Sequence, residues 1–343
     1  MLNEQQLSRL IYRLVDPTLE VTLEETEGII AIQVLPPDKA FIHLALADPE
    51  YQTEAFTKNL KEMVGEFGFQ HIELELSYLP QEVIDRIEHL HDNILSENKE
   101  TTFIAIASGK GGVGKSTVAA NLAVALAKQG QNVGLLDADI YGFSIPFLLG
   151  LTEPPQKAGG RIIPASAHGI KTISMDYFIG QDEPVIWRGP MLGKMIKMFL
   201  EEVDWGDLDY LLIDLPPGTG DVALDMHALL PSCHEIIVTT PHQAAAQVAL
   251  RAGYMARKNG HPLLGVIENM AYLPIHGERL EIFGTGGGRT VADKLAIPLI
   301  AQLEIAQPNQ NAPHFVDAIY QDDEPLGKAY RKLAENLTER FSV

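Results

Sequence analysis

The sequence predicts an α/β protein, with a doubly wound, mainly parallel sheet preceded by a small α/β unit. Three observations carry that expectation. A glycine-rich segment, Ser108-Gly-Lys-Gly-Gly-Val-Gly-Lys-Ser-Thr117, lies between an apolar β-branched run and a run of helical spacing rich in alanine and leucine. Two further apolar runs, 133–137 and 210–214, each end in a carboxylate. Beyond the glycine-rich segment, strand-like and helix-like stretches alternate, the order that a parallel sheet with crossover helices requires.

Taken in chain order, Leu7, Leu10, Ile11, Leu14 and Val15 recur at helical spacing, and Asp16-Pro17 ends that helix. Residues 28–35 and 40–47 alternate as paired strands around the turn 36–39. A helix over 53–67, a strand over 71–76 and a helix over 81–95 follow. This places a small α/β domain at 1–95, a polar linker at 96–102 and the larger domain at 103–343. In the larger domain the pattern predicts strands at 102–107, 133–136, 210–213, 235–240 and 264–268. Helices are expected at 118–128, 191–201, 222–230, 243–258 and, amphipathic and closing the chain, 325–341. Residues 161–175 read as a short β excursion.

Composition narrows the function classes. The net charge is -20, and residues 1–100 hold 7 Lys+Arg against 20 Asp+Glu, so the N-terminal part is a poor nucleic-acid surface. A DNA contact would need a local basic patch, for which Arg188, Lys194 and Lys197 are the candidates beside their reading as a solvated helix face. Cys233 is the only cysteine, so no disulfide forms within the chain; its reading is a small packed residue. No apolar run near Met1 has the form of a signal peptide and none reaches membrane-spanning length, so a cytoplasmic protein without membrane contact is expected.

The glycine-rich segment has the full G-x-x-x-x-G-K-S pattern of a phosphate-binding loop. Ser108, Gly109, Lys110, Gly111, Gly112, Val113, Gly114, Lys115, Ser116 and Thr117 are therefore the expected nucleotide contacts. Its glycines let main-chain N–H groups approach an oxyanion at the positive end of the following helix. Lys115 is expected on the β- and γ-phosphates, with the Ser116 hydroxyl on Mg²⁺. In parallel sheets the ligand lies beyond the carboxyl ends of the strands, which directs Asp137, Asp139 and Asp214 toward the phosphates. Asp214 fits a second Mg²⁺ role through water, and Gly218 in Pro216-Pro217-Gly218 is placed to sense the γ-phosphate. Asp139 has two readings, orienting the attacking water or capping a following helix.

With these residues in view the chain resembles the Mrp/ApbC family of P-loop ATPases, relatives of MinD, ParA and the nitrogenase iron protein. The resemblance extends to Trp187-Arg188-Gly189-Pro190-Met191 and Glu268-Asn269-Met270, with switch segments at 137–146 and 214–221. It implies Mg-ATP hydrolysis in a homodimer, Lys110 reaching across the interface to the partner's nucleotide, and Asn269 set against adenine. It also implies that the N-terminal part, most visibly Val15-Asp16-Pro17-Thr-Leu19, is similar to a small iron-sulfur-assembly domain that contacts other proteins.

The same resemblance exposes a difference. Iron-sulfur carriers of this type follow Glu-Asn-Met with a loop containing Cys-Pro-x-Cys, whereas here residues 271–281 contain no cysteine. His276 in that loop has two readings, a substitute iron ligand or an exposed loop residue. Lacking those cysteines, the chain is similar to the SalA type of Mrp relative. Two classes of function stay open: an iron-sulfur carrier or assembly ATPase serving client apoproteins, and an ATP-dependent switch that regulates transcription through DNA or a regulatory protein.

Overall fold

A computed structural model describes residues 3–19, 21–51, 53–91, 94–95, 100–139, 142, 144–178, 189–309 and 317–341. Of the sequence features above, residues 96–99 of the linker, Ile140, Tyr141 and Phe143 of the first switch segment, Trp187 and Arg188 lie outside these. The chain separates into two units, Met1–Asp92 with Gly159–Arg161, and Asn93–Ala158 with Ile162–Val343.

In the first unit the order is α1 (Glu4–Ile11), β1 (Ile29–Leu35), β2 (Lys39–Leu46), α2 (Thr53–Gly65), β3 (His71–Tyr78) and α3 (Gln81–His91). β1 and β2 pair antiparallel and β2 and β3 parallel. Leu7, Ile11, Ile42, Leu44, Phe56 and Leu60 form the core on one sheet face. The first helix ends at Ile11, earlier than its periodicity suggests, because Asp16 organises the chain beyond it. The buried Asp16 carboxylate accepts hydrogen bonds from the backbone N–H groups of Thr18, Leu19 and Ala47 at 2.9–3.1 Å. Val15 bridges Thr22, and its side chain is 48% exposed, so it never joined the buried helical stripe.

The second unit opens with β4 (Thr102–Ser108), α4 (Lys115–Ala127), β5 (Val133–Asp137) and α5 (Ile145–Leu148). Four short strands follow: β6 (Gln156–Ala158), β7 (Arg161–Ile163), β8 (Ala165–Ala167) and β9 (Ile170–Ser174). Then come α6 (Gly189–Glu201), β10 (Tyr210–Asp214), α7 (Asp221–Leu229), β11 (His234–Thr239), α8 (Gln243–Lys258) and β12 (Leu263–Glu268). A hairpin of β13 (Leu273–Ile275) and β14 (Glu278–Leu280), then α9 (Gly287–Lys294), β15 (Leu299–Gln302) and α10 (Pro325–Phe341) complete it. The sheet runs β15-β12-β11-β4-β10-β5-β9-β8, parallel throughout except for the edge pair β8–β9. The β excursion expected at 161–175 holds for β7, which pairs with β6 in a separate two-stranded sheet, whereas β9 joins the main sheet along its full length, Val133 opposite Ile170 and Asp137 opposite Ser174.

This is the expected doubly wound α/β architecture, with a core on each face of the sheet. One holds α4 and α10 residues such as Leu122, Leu126, Tyr330 and Leu333 against Ile104, Ile106 and Leu212. The other holds Phe199, Leu200, Trp205, Leu250 and Leu295 against Ala105, Leu211 and Ile237. The central strands read as unbroken apolar runs because both faces are covered. Their order reverses beside β4, with β10 on one side and β11 on the other, so the crevice beyond the carboxyl end of β4 is where such a sheet accepts a ligand.

Candidate functional site

At that crevice, residues 109–114 turn the chain from β4 into α4. Gly114 stands at the N-cap with φ +81°, a left-handed conformation that favours glycine, and a Cβ there would lie 2.2 Å from Asn269 Nδ2. Gly109 is required for a different reason. A Cβ on it would sit 2.1 Å from the carbonyl carbon of Val248, inside the backbone of α8. Lys110, Gly111 and Gly112 are exposed, Val113 is buried, and Ser116 and Thr117 are half-buried in the first turn of α4. Ser108, Lys110, Gly111, Gly112, Gly114, Lys115, Ser116, Thr117 and Asp139 border one cleft of about 340 Å³.

Lys115 is the charge centre of the cleft, only 5% exposed. Its Nζ donates to Asp214 Oδ1 at 2.6 Å, lies 3.4 Å from Asp139 Oδ2 and reaches Ser116 Oγ at 3.5 Å. Register brings the acids there: Asp214 ends β10 opposite Asp137, which ends β5, and Asp139 follows two residues later with its N–H on Asp137 Oδ1 at 3.2 Å. Burial pushes the Asp137 carboxyl up to about 7, with the Asp214 charge adding to it and a hydrogen bond from Ser174 Oγ opposing. Burial likewise raises Asp214, against the pull of Lys115.

Two carboxylates thus share one buried lysine, with the buried Asp137 carboxyl beside them. Asp214 Oδ2 is buried with no hydrogen-bond partner among the described residues. An orphaned carboxylate oxygen, the nearby Ser116 hydroxyl and an excess of negative groups make a hard-oxygen set, which fits Mg²⁺.

Two loop-facing residues are held by the protein itself. The Gly218 N–H, at φ +93°, donates to the Ser108 carbonyl at 2.8 Å, so contact with a phosphate requires that bond to open. Asn269 is 9% exposed, and its Nδ2 donates to the Val113 carbonyl at 2.9 Å, clamping the loop to the end of β12. Its neighbour Glu268 accepts from Gly288 N–H and Gln302 Nε2 at 2.7 and 2.6 Å, a structural part of the Glu268-Asn269-Met270 motif.

The cysteine-free loop is the β13–β14 hairpin. His276 and Gly277 form its two-residue turn with φ +51° and +84°, the backbone of a type I′ turn, and His276 is exposed. Cys233 is elsewhere, 1% exposed, with Sγ near the His234 carbonyl; burial raises its thiol far above the ordinary range. In the basic patch, Lys197 pairs with Glu201 one helical turn away at 3.5 Å. Sequence reasoning left Ser174 unmentioned and gave Asp137 no role of its own. Asp137 was detectable, since it ends a strand in the same manner as Asp214, whereas Ser174 depends on the pairing of β9.

The model of the ParA family, described as NUBPL iron-transfer P-loop NTPase, matches residues 99–338. The chain belongs to this family. An iron-sulfur cluster carrier protein of Bacillus subtilis (strain 168) is 42% identical over 351 residues, covering 100% of this chain and 99% of that one. One from Mycobacterium leprae is 36% identical, covering 97% and 92%. Among solved structures, a nucleotide-binding protein of Archaeoglobus fulgidus in complex with ADP superposes with a TM-score of 0.55 at 37% identity, over 72% of this chain and 90% of that one. MinD of Pyrococcus horikoshii, complexed with Mg-ADP, shares the fold, with a TM-score of 0.52 at 24% identity, over 71% and 98%. The resemblance to the Mrp/ApbC family drawn from the loop and the strand-end motifs is borne out. No helix among the described residues is long and apolar enough to cross a membrane.

Proposed function

We propose that this protein binds and hydrolyses ATP as a homodimer, and that the nucleotide cycle drives contact with a client protein. The observation that carries the reading is the buried Lys115, held between Asp214 and Asp139 at the mouth of the phosphate loop. A lysine so placed moves a short distance from carboxylate to phosphate when the nucleotide's negative charge arrives. Asp214 and Ser116 are then free to hold Mg²⁺, which, when bound, neutralises charge on the β- and γ-oxygens.

The remaining steps belong to side chains of the chain. Asp139 orients a water whose oxygen bonds to the γ-phosphorus as the bond to the β–γ bridging oxygen breaks; the water's protons end on the released phosphate and the displaced charge stays on ADP. Lys110, exposed on the loop, supplies a second cation to the partner's nucleotide and stabilises that charge in the transition state. Asn269 sets the loop's position and offers its amide to the adenine side of the cleft. No guanine-reading Asn-Lys-x-Asp segment occurs in the chain, which favours ATP over GTP.

Steady-state hydrolysis with nucleotide binding measured in parallel tests this reading. Lys115→Ala is expected to abolish binding. Lys110→Ala is expected to bind normally and to turn over on the order of a thousandfold more slowly, the scale of an in-trans cation. Unchanged turnover in the Lys110 variant would sink the dimer mechanism.

A second reading, a nucleotide switch that acts on a transcriptional regulator or DNA in place of a cluster, is favoured by one observation. The hairpin where cysteine-bearing relatives place cluster ligands ends here in a His-Gly turn.

A further inference from the structure

A second group of convergent side chains lies at the amino ends of the strands, the opposite end of the sheet from the phosphate loop. His227 stands in the last turn of α7, Glu235 is the second residue of β11, and His261 lies in the turn from α8 into β12. Their relative exposures are 8%, 2% and 4%. His227 Nδ1 is 2.9 Å from His261 Nδ1, and Glu235 Oε1 lies 3.0 Å from His261 Nδ1 and 3.5 Å from His227 Nδ1.

Two imidazole nitrogens 2.9 Å apart share either a proton or a metal ion, because two bare lone pairs at that separation repel. A triangle with these sides has a circumscribed radius of roughly 1.8 Å, so a point exists about 2.0–2.1 Å from all three atoms, the length of a zinc–imidazole or zinc–carboxylate bond. Two imidazoles and one carboxylate suit zinc and similar divalent transition metals, whereas Mg²⁺ and Ca²⁺ take oxygen sets. Charge points the same way. Among the described residues Glu235 has no lysine or arginine within ion-pair reach, and its ion-pair partners are these two imidazoles. Buried carboxylates that stay ionised are paired or coordinate metals.

We propose that His227, Glu235 and His261 form a site for one divalent transition-metal ion of the zinc class. Its seclusion from solvent makes it a structural clip and not a catalytic centre. The ion joins the C-terminal end of α7 to the amino ends of two parallel strands, and α7 begins directly after the turn that carries Gly218.

The test uses the full chain, stripped with a chelator and titrated with Co²⁺ without nucleotide and with excess Mg²⁺, which holds the oxygen-only sites. The expected result is one Co²⁺ per chain with ligand-field absorption free of thiolate charge transfer, displaced by Zn²⁺, together with a rise in Tm. His227→Gln and Glu235→Gln are each expected to lose that equivalent and the Tm shift. Far-UV circular dichroism and cooperative unfolding establish that each variant is folded; should Glu235→Gln not fold, His227→Gln, the least buried of the three, decides. Wild-type protein that takes up no Co²⁺ under these conditions, or a folded His227→Gln that keeps the equivalent at wild-type affinity, would overturn the site.

Discussion

Asp139 and Lys115 have separable duties even though 3.4 Å lies between them. Lys115 balances Asp214 as well as Asp139, so its removal strands buried carboxylates, which respond by taking up protons or by costing about 3–5 kcal/mol of stability. Loss of nucleotide binding in Lys115→Ala must therefore be read beside an unfolding curve. Asp139 sits at the cleft with Lys115 still held by Asp214 when it is removed, which makes Asp139→Ala the cleaner variant. It is expected to bind ATP near wild-type affinity and to hydrolyse it at least a hundredfold more slowly, about the lower bound for a positioned acid–base group. Single-turnover chemistry and equilibrium binding measured together separate the two effects; normal turnover would assign the water to another group. Asn269→Ala is expected to do the reverse. The Val113 carbonyl loses its donor and the loop its clamp, so ATP affinity falls while the single-turnover rate changes little.

At the scale of elements, the loop is positioned by what it packs against as much as by its own sequence. Gly109 meets the backbone of α8 and Gly111 meets nothing within 4 Å, although both belong to one glycine-rich motif. Gly109→Ala is therefore expected to cost on the order of 1–3 kcal/mol, the usual range for overpacking, while Gly111→Ala leaves stability unchanged. Urea unfolding midpoints at constant slope read this directly, and equal midpoints for the two would refute the packing argument. Elements with a local signal were legible in the sequence. β4, β5, β10 and β12 show as apolar runs, α8 and α10 show their periodicity, and the loop shows its motif. The misread segments lack one. β9 is five residues with Lys171 and Thr172 at its centre, and only pairing with β5 makes it a strand of the main sheet. β15 is four residues and α9 eight, too short for a period to register. His227, Glu235 and His261 are scattered over three elements, and no spacing rule joins them before the sheet forms.

For the whole molecule, the question is whether its cargo is a cluster. Iron-sulfur clusters are usually held by four thiolates, and a homodimer of this chain offers two copies of Cys233. Each is 1% exposed within the core between α7 and β11, with burial holding the thiol in its protonated, non-ligating form. Thiolates pooled across a dimer interface need to reach the surface, which Cys233 does only if the start of β11 unfolds. His276, exposed at the tip of its hairpin, gives one imidazole per subunit and no thiolate beside it. Anaerobic reconstitution with iron and sulfide is therefore expected to leave fewer than one cluster per dimer after desalting, with little thiolate-to-iron absorption. Cys233→Ser is expected to retain ATPase activity, because Cys233 lies just before the amino end of β11, the opposite end of the sheet from the phosphate loop. A stoichiometric cluster in wild-type protein that disappears in Cys233→Ser would restore cluster carriage and require the start of β11 to open; one that survives Cys233→Ser and disappears in His276→Ala would place the ligands on the hairpin.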